Sequence, residues 1–278
     1  MKRIITIQDI SCVGKCSLTV ALPIISAAGV EASVLPTSLL STHTAFPKFT
    51  FLDLTDEIQK ISDVFSELSI DFDAIYTGYL GSAEQVRLVE EFIKTHKKEK
   101  TAVVIDPAMA DNGKLYHGFA PDFPSLMTKL VRGADLIIPN LTEASLMLGI
   151  PYVEEYGEEH IKDVLRRLCA LGCKRAALTG VSFDSEKIGV YAYNSEDGSY
   201  FSYFNERLSK SFHGTGDVFA SATLGAYMRG LSLEESLKIA VDFTLECMRL
   251  TLRDGSARFY GVNFEEALPM YISRILNA

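Results

Sequence analysis

Four consecutive residues, Gly214-Thr215-Gly216-Asp217, place bare backbone and a carboxylate immediately before an apolar run, Val218 to Met228. The run predicts a buried helix. Unused N–H groups at a helix N-terminus, together with the positive end of its dipole, hold anions. A carboxylate beside such a cradle repels the anion unless it has another task, and taking a proton from a nucleophile is one. The stretch therefore predicts phosphoryl transfer to a hydroxyl, with Asp217 as base and Gly214, Thr215 and Gly216 as the anion hole. The bland alternative is a tight helix entry in which Asp217 is only a dipole-favoured first-turn acid.

Other polar residues follow predicted strands: Ser11, Thr44, Tyr79, Asp106, Asn140, Glu143 and Thr179. Singly, each has an ordinary reading. Ser11 suits a turn, Asp106 before Pro107 can open one, His43 can be a satisfied loop residue, and Thr142-Glu143 can start a helix. Jointly they mark one sheet edge. Carboxylates gathered there, Asp106, Glu143 and Asp217, repel each other unless a cation joins them, and a phosphate-bound Mg²⁺ is the natural one.

The elements that must position these residues alternate. Arg3 to Gln8, Ala32 to Leu35, Ala74 to Thr77, Thr101 to Ile105, Asp135 to Ile138 and Arg175 to Leu178 read as short buried strands. Helical patterns separate them, with capping boxes expected at Ser82/Gln85 and Ser232/Glu235 and an N-cap at Thr142. Asp9 to Gly14 reads as a polar turn, Lys15 to Ala28 as a helix, and Pro36 to Thr44 as a long hydroxyl-rich loop. Ile188 to Tyr193 and Tyr200 to Phe204 read as a hairpin. The pattern predicts an α/β three-layer sandwich with a mainly parallel central sheet and helices on both faces. No repeat or linker divides the chain, so residues 1–278 are expected to form one domain. In such a sheet, ligands sit beyond the carboxyl ends of the strands.

The 278 residues are 47% hydrophobic and 23% charged, with a net charge of −9, which speaks against a nucleic-acid partner. No apolar run approaches a membrane span, and the N-terminus reads as a strand rather than a signal peptide. Five cysteines without a secretion signal suggest reduced thiols and a cytoplasmic protein. There is no Walker A sequence, no dinucleotide fingerprint and no Gly-x-Ser-x-Gly elbow. Gly-Thr-Gly backbone and a helix dipole must then hold the phosphates.

Gly214-Thr215-Gly216-Asp217 resembles the anion hole and catalytic aspartate of the ribokinase-like superfamily. Ser41-Thr42-His43-Thr44 is similar to the Ser-Asn-His-Thr of its pyridoxal kinase branch, and Thr77-Gly78-Tyr79 to that branch's Thr-Gly-Tyr. Asp106-Pro107-Ala108-Met109-Ala110-Asp111 and Pro139-Asn140-Leu141-Thr142-Glu143-Ala144 resemble two further segments, and Ser11 resembles a serine that contacts the pyridine ring. Thr42, Ala110 and Ile138 depart from the branch's usual residues.

The resemblance implies an ATP-dependent kinase acting on the 5′-hydroxymethyl group of pyridoxal, pyridoxine or pyridoxamine. Asp106, Asn140, Glu143 and Thr179 would organise ATP and Mg²⁺, the ion held by Asp106 and Glu143 directly or through water. Ser209, Lys210, Ser211 and Phe212 would border the nucleotide, and Ser11, His43, Thr44 and Tyr79 the pyridine ring. The branch commonly lacks a lid domain, forms homodimers and in several members uses K⁺. A hydroxymethylpyrimidine kinase of thiamine synthesis and a non-catalytic B6-binding protein are the alternatives.

Overall fold

The computed structural model describes residues 1–278. Its central sheet has nine strands. They are β1 (Arg3–Val13), β2 (Glu31–Thr42), β3 (Phe51–Asp53), β4 (Ala74–Thr77), β5 (Ala102–Ile105), β8 (Leu136–Ile137), β9 (Arg175–Val181), β10 (Lys187–Asn194) and β11 (Ser199–Glu206). Their spatial order is β11-β10-β9-β8-β5-β4-β1-β2-β3. From β2 to β9 neighbours run parallel, while β3 and the β10–β11 hairpin add antiparallel edges. A small ribbon, β6 (Ala110–Asp111) with β7 (Lys114–Leu115), lies outside this sheet.

Helices α2 (Thr55–Glu67), α3 (Ala83–His96), α4 (Phe123–Leu130), α5 (Leu141–Leu148) and α6 (Glu158–Ala170) cover one face. Helices α1 (Leu18–Ala27), α7 (Thr215–Met228), α8 (Leu233–Arg253) and α9 (Phe264–Leu276) cover the other. Each face has its own apolar core, so the three-layer α/β reading holds. Helix α7 is buried from Val218 through Ala226 because α1, α8 and α9 pack around it, which is why it lacks an amphipathic stripe. No helix is long and apolar enough to cross a membrane.

Several local expectations change. Asp9 to Gly14 is not a turn up to Val13, because β1 continues beside β2 past the end of β4, which stops opposite Ile7. The expected loop from Pro36 is likewise strand as far as Thr42. Asp9 and Ser11, two apart and both buried, break the apolar pattern that would have marked these residues as strand. Asn140, not Thr142, caps α5: its Oδ1 accepts from Glu143 N at 2.9 Å, and the Glu143 carboxylate accepts from Asn140 N at 2.9 Å. Ser82 accepts from Gln85 N at 3.2 Å and Ser232 from Glu235 N at 3.1 Å, as their spacing predicts.

Candidate functional site

A cavity of about 1190 Å³ opens at the carboxyl end of the parallel strands. Every site residue expected from the sequence lines it. Ser11 comes from β1, His43 and Thr44 from beyond β2, Tyr79 from beyond β4 and Asp106 from beyond β5. Asn140 and Glu143 come from the start of α5, and Thr179 from β9. Ser209, Lys210, Ser211 and Phe212 descend from β11, and Gly214, Thr215, Gly216 and Asp217 open α7.

The α7 entry is held from behind. Gly214 has φ 75°, and a Cβ there would meet Lys15 O at 2.0 Å. Only glycine fits that approach. Thr215 Oγ1 donates to Phe212 O at 3.2 Å, which closes the turn. The N–H groups of Thr215, Gly216 and Asp217 have no backbone acceptor, and nothing stands within 4 Å of where a Gly216 Cβ would be. This is the geometry of an open anion cradle. Asp217 Oδ2 accepts from Ser17 N at 3.0 Å, and Ser17 itself sits at φ 50° ahead of α1. Burial pushes the Asp217 carboxyl up to about 6, with Asp9 adding to the rise and the Ser17 N–H opposing it. A carboxylate with that proton affinity still ionises at neutral pH and is a better proton acceptor than a free one.

Across the cavity, Asp106 is raised well above the usual carboxylate range by burial, then by the charges of Glu143 and Asp217. Burial raises Glu143 to about 7 against the pull of its backbone donors. Its Oε1 accepts from Met109 N at 3.0 Å and its Oε2 from Asn140 N. Asp106 accepts only from Ala108 N, at 3.2 Å through Oδ1. No three His, Cys, Asp or Glu side chains converge to hold an ion by themselves. The mutual repulsion of these buried acids nevertheless calls for a cation, and the free Asp106 oxygen can face one shared with phosphate. Both Glu143 oxygens already accept backbone N–H groups, which fixes the carboxylate's position. Glu143→Ala is expected to leave buried N–H groups unpaired and cost about 1–3 kcal/mol, read as a lower thermal midpoint. An unchanged midpoint would show that the cap contributes nothing.

His43 is buried and held at both ring nitrogens. Ala45 N donates to Nδ1 at 3.0 Å, which assigns the proton to Nε2, and Nε2 donates to Tyr260 O at 3.1 Å. Burial lowers its proton affinity further. The ring therefore borders the cavity as expected of His43, through its carbon face and not through a free nitrogen. It leads an aromatic cluster with Phe46, Phe259 and Tyr260, ring centroids 4.8–6.4 Å apart. Tyr79 leans on Phe119 at 5.4 Å, presenting an aromatic surface. Lys210 Nζ lies 5.2 Å over the Phe212 ring. Asn140 and Thr179 form a parallel bridge, which fixes their spacing.

Sequence reasoning missed two parts of the lining. Val241, Thr244, Leu245 and Met248 of α8 give the cavity a largely apolar wall. In the sequence they are indistinguishable from core residues. Asp9 was hidden inside an apparent turn, though its spacing of two from Ser11 could have flagged a shared strand face.

A family model described as phosphomethylpyrimidine kinase matches residues 22–260. A Bacteroides thetaiotaomicron protein described as a candidate phosphomethylpyrimidine kinase, crystallised with pyridoxal, superposes with a TM-score of 0.93 at 39% identity, covering 97% of this chain and 95% of that one. Pyridoxal kinase from Lactobacillus plantarum superposes with a TM-score of 0.91 at 29% identity, covering 100% and 98%. A Dictyostelium discoideum pyridoxal kinase is 25% identical over 244 residues, 82% of this chain and 78% of its own length. With that model spanning most of the sequence and these relatives aligned along it, the chain belongs to the phosphomethylpyrimidine kinase family, in the ribokinase-like branch that holds the pyridoxal kinases.

Proposed function

We propose that this protein transfers the γ-phosphoryl group of ATP to the 5′-hydroxymethyl group of a vitamin B6 compound, giving the 5′-phosphate. The observation that carries the reading is Asp217 Oδ2, fixed by Ser17 N at 3.0 Å beside three N–H groups without acceptors. Asp217 takes the hydroxyl proton as the new O–P bond forms, and the cradle at Gly214, Thr215 and Gly216 offsets charge on the transferring group. Ser11, Thr44 and Tyr79 enclose the ring. Asn140, Thr179 and the segment Ser209 to Phe212 receive the nucleotide, with the apolar face of α8 behind it. Asp106 would hold Mg²⁺, with Glu143 reaching it through water, and the ion would supply positive charge to neutralise the phosphates. The resemblance to known pyridoxal kinases supports this reading, as does the B. thetaiotaomicron relative crystallised with pyridoxal.

The whole chain, 1–278, acts as one catalytic unit without a separate lid domain. A reducing, cytoplasmic setting suits its five free thiols. A homodimer is supported by apolar residues left exposed on β2 and β3, Leu39, Phe51 and Leu52.

The deciding experiment is a coupled ATP-consumption assay on pyridoxal, pyridoxine, pyridoxamine and hydroxymethylpyrimidine, with and without K⁺. Turnover of a B6 compound above the pyrimidine supports the proposal. Preference for the pyrimidine, or tight pyridoxal binding without turnover, would replace it. In the same assay, Asp106→Asn is expected to raise the Mg²⁺ requirement about 10- to 100-fold. Unaltered Mg²⁺ dependence would remove Asp106 from the metal's surroundings.

A further inference from the structure

Asp9 is a buried carboxylate without a cation. The residue is 6% exposed, lines the cavity, and has hydroxyl partners but no cationic one: Ser11 Oγ at 3.5 Å and the Ser17 side chain. The lysine and arginine side chains nearest the site are engaged elsewhere. Lys15 pairs with Glu265 at 2.8 Å, Arg207 donates to Ser182 Oγ at 3.4 Å, and Lys210 lies over Phe212. His43 is held neutral by its own two hydrogen bonds.

The backbone is built to aim this side chain. The β1–β2 ladder pairs Gln8 with Pro36 but Ile10 with Leu39, so two residues of β2 oppose Asp9 alone. A bulge of this kind re-aims a side chain and is common beside active sites. On the other flank β4 has already ended, leaving the cavity as Asp9's neighbour. An uncompensated charge in such a place costs stability, and a fold retains it where a ligand supplies the missing partner.

Resting on the B6 reading above, we infer that Asp9 is a substrate-recognition residue whose carboxylate receives a protonated nitrogen of the substrate. Its neighbours in the pocket fit this. Ser11 and Tyr79 line the same wall, and the Asp9 charge raises the proton affinity of Asp217. A cationic substrate would relieve that repulsion and so favour the ionised form of the base. A B6 compound can supply the proton from two sources: the ring nitrogen, present in every vitamer, or the aminomethyl ammonium, present only in pyridoxamine.

The test is Asp9→Asn, with kcat and KM measured separately for pyridoxine, pyridoxal and pyridoxamine and KM for ATP measured alongside. We expect kcat/KM for the accepted vitamer to fall about 10- to 100-fold, mainly through KM, with KM for ATP unchanged. A fall on all three vitamers assigns the ring nitrogen, and a fall on pyridoxamine alone assigns the ammonium. Removal of an unpaired buried charge should leave the thermal midpoint equal or higher. Unchanged kcat/KM on every vitamer would overturn the inference. So would a lower midpoint, or failure of both Asp9→Asn and Asp9→Ser to fold, since either makes Asp9 a structural element. Wild-type protein that phosphorylates no vitamer would instead overturn the parent reading, so the two failures are told apart by which protein fails.

Discussion

Asp217→Asn should lose about 100- to 10,000-fold in kcat while ATP affinity stays within a few-fold, because the amide keeps the Ser17 contact but cannot take a proton. The same variant should be more heat-stable than wild type at pH 7–8. The folded carboxyl is raised to about 6 from an ordinary 3.8, mainly by burial. A raised carboxyl stabilises the native state fully below its unfolded value and loses that contribution as pH rises through its folded one. The loss therefore develops between pH 3.8 and about 6 and is complete at neutrality, where asparagine carries none of it. For a chain of this size, about 1 kcal/mol regained corresponds to a rise of roughly 2–4 °C in Tm. Wild-type kcat/KM should fall toward tenfold per pH unit below about 6, as the base is protonated. Turnover near normal in Asp217→Asn would remove it as the base. A lower Tm in that variant would instead mean that its charge supports the fold.

Gly214→Ala is the second large effect. Left-handed φ and a Cβ placed 2.0 Å from Lys15 O leave no relaxed solution, since the obstacle is backbone. The expected cost exceeds about 3 kcal/mol, near the upper range for single substitutions, with loss of activity at any temperature where the variant still folds. Gly216→Ala is the internal control. Nothing lies within 4 Å of its Cβ and it sits in the first turn of α7, so alanine should stabilise by about 0.5–1 kcal/mol. Its methyl nevertheless enters the cradle and should reduce kcat. Differential scanning calorimetry and turnover on both variants separate the two roles. Equal stability for the pair would contradict the close approach at Gly214, and wild-type turnover in Gly216→Ala would remove its backbone from the phosphoryl path.

The chemistry was more legible in the sequence than the backbone that carries it. Parallel alternation puts every strand's carboxyl end on one edge, so Ser11, Tyr79, Asp106, Asn140 and Thr179 could be gathered before any coordinates. Helix α7 was legible because glycine, acid and an unbroken apolar run have few other joint explanations. The extensions of β1 and β2 were not. Polar residues facing a cavity look like a turn, and pairing with a partner strand overrides that appearance. Asn140-Leu141-Thr142-Glu143 offered two possible caps, and only the reciprocal bonds of Asn140 and Glu143 decide between them. The apolar wall on α8 could not be told from core, since hydrophobicity reports burial and not what does the burying.

The contact between Ser17 N and Asp217 Oδ2 spans 200 residues of chain, and that between Lys15 and Glu265 spans 250. During synthesis, the segment that holds the Asp217 carboxylate emerges long before Asp217 itself exists. Closing loops of this size is an entropic cost met only when the rest of the sheet is in place. A nascent or truncated chain lacking its last third can build much of the ladder from β1 to β9 but has no catalytic centre. Kinase activity is therefore a late event in this protein's folding, and its recovery during refolding reports the docking of α7 against the start of α1 rather than formation of the sheet.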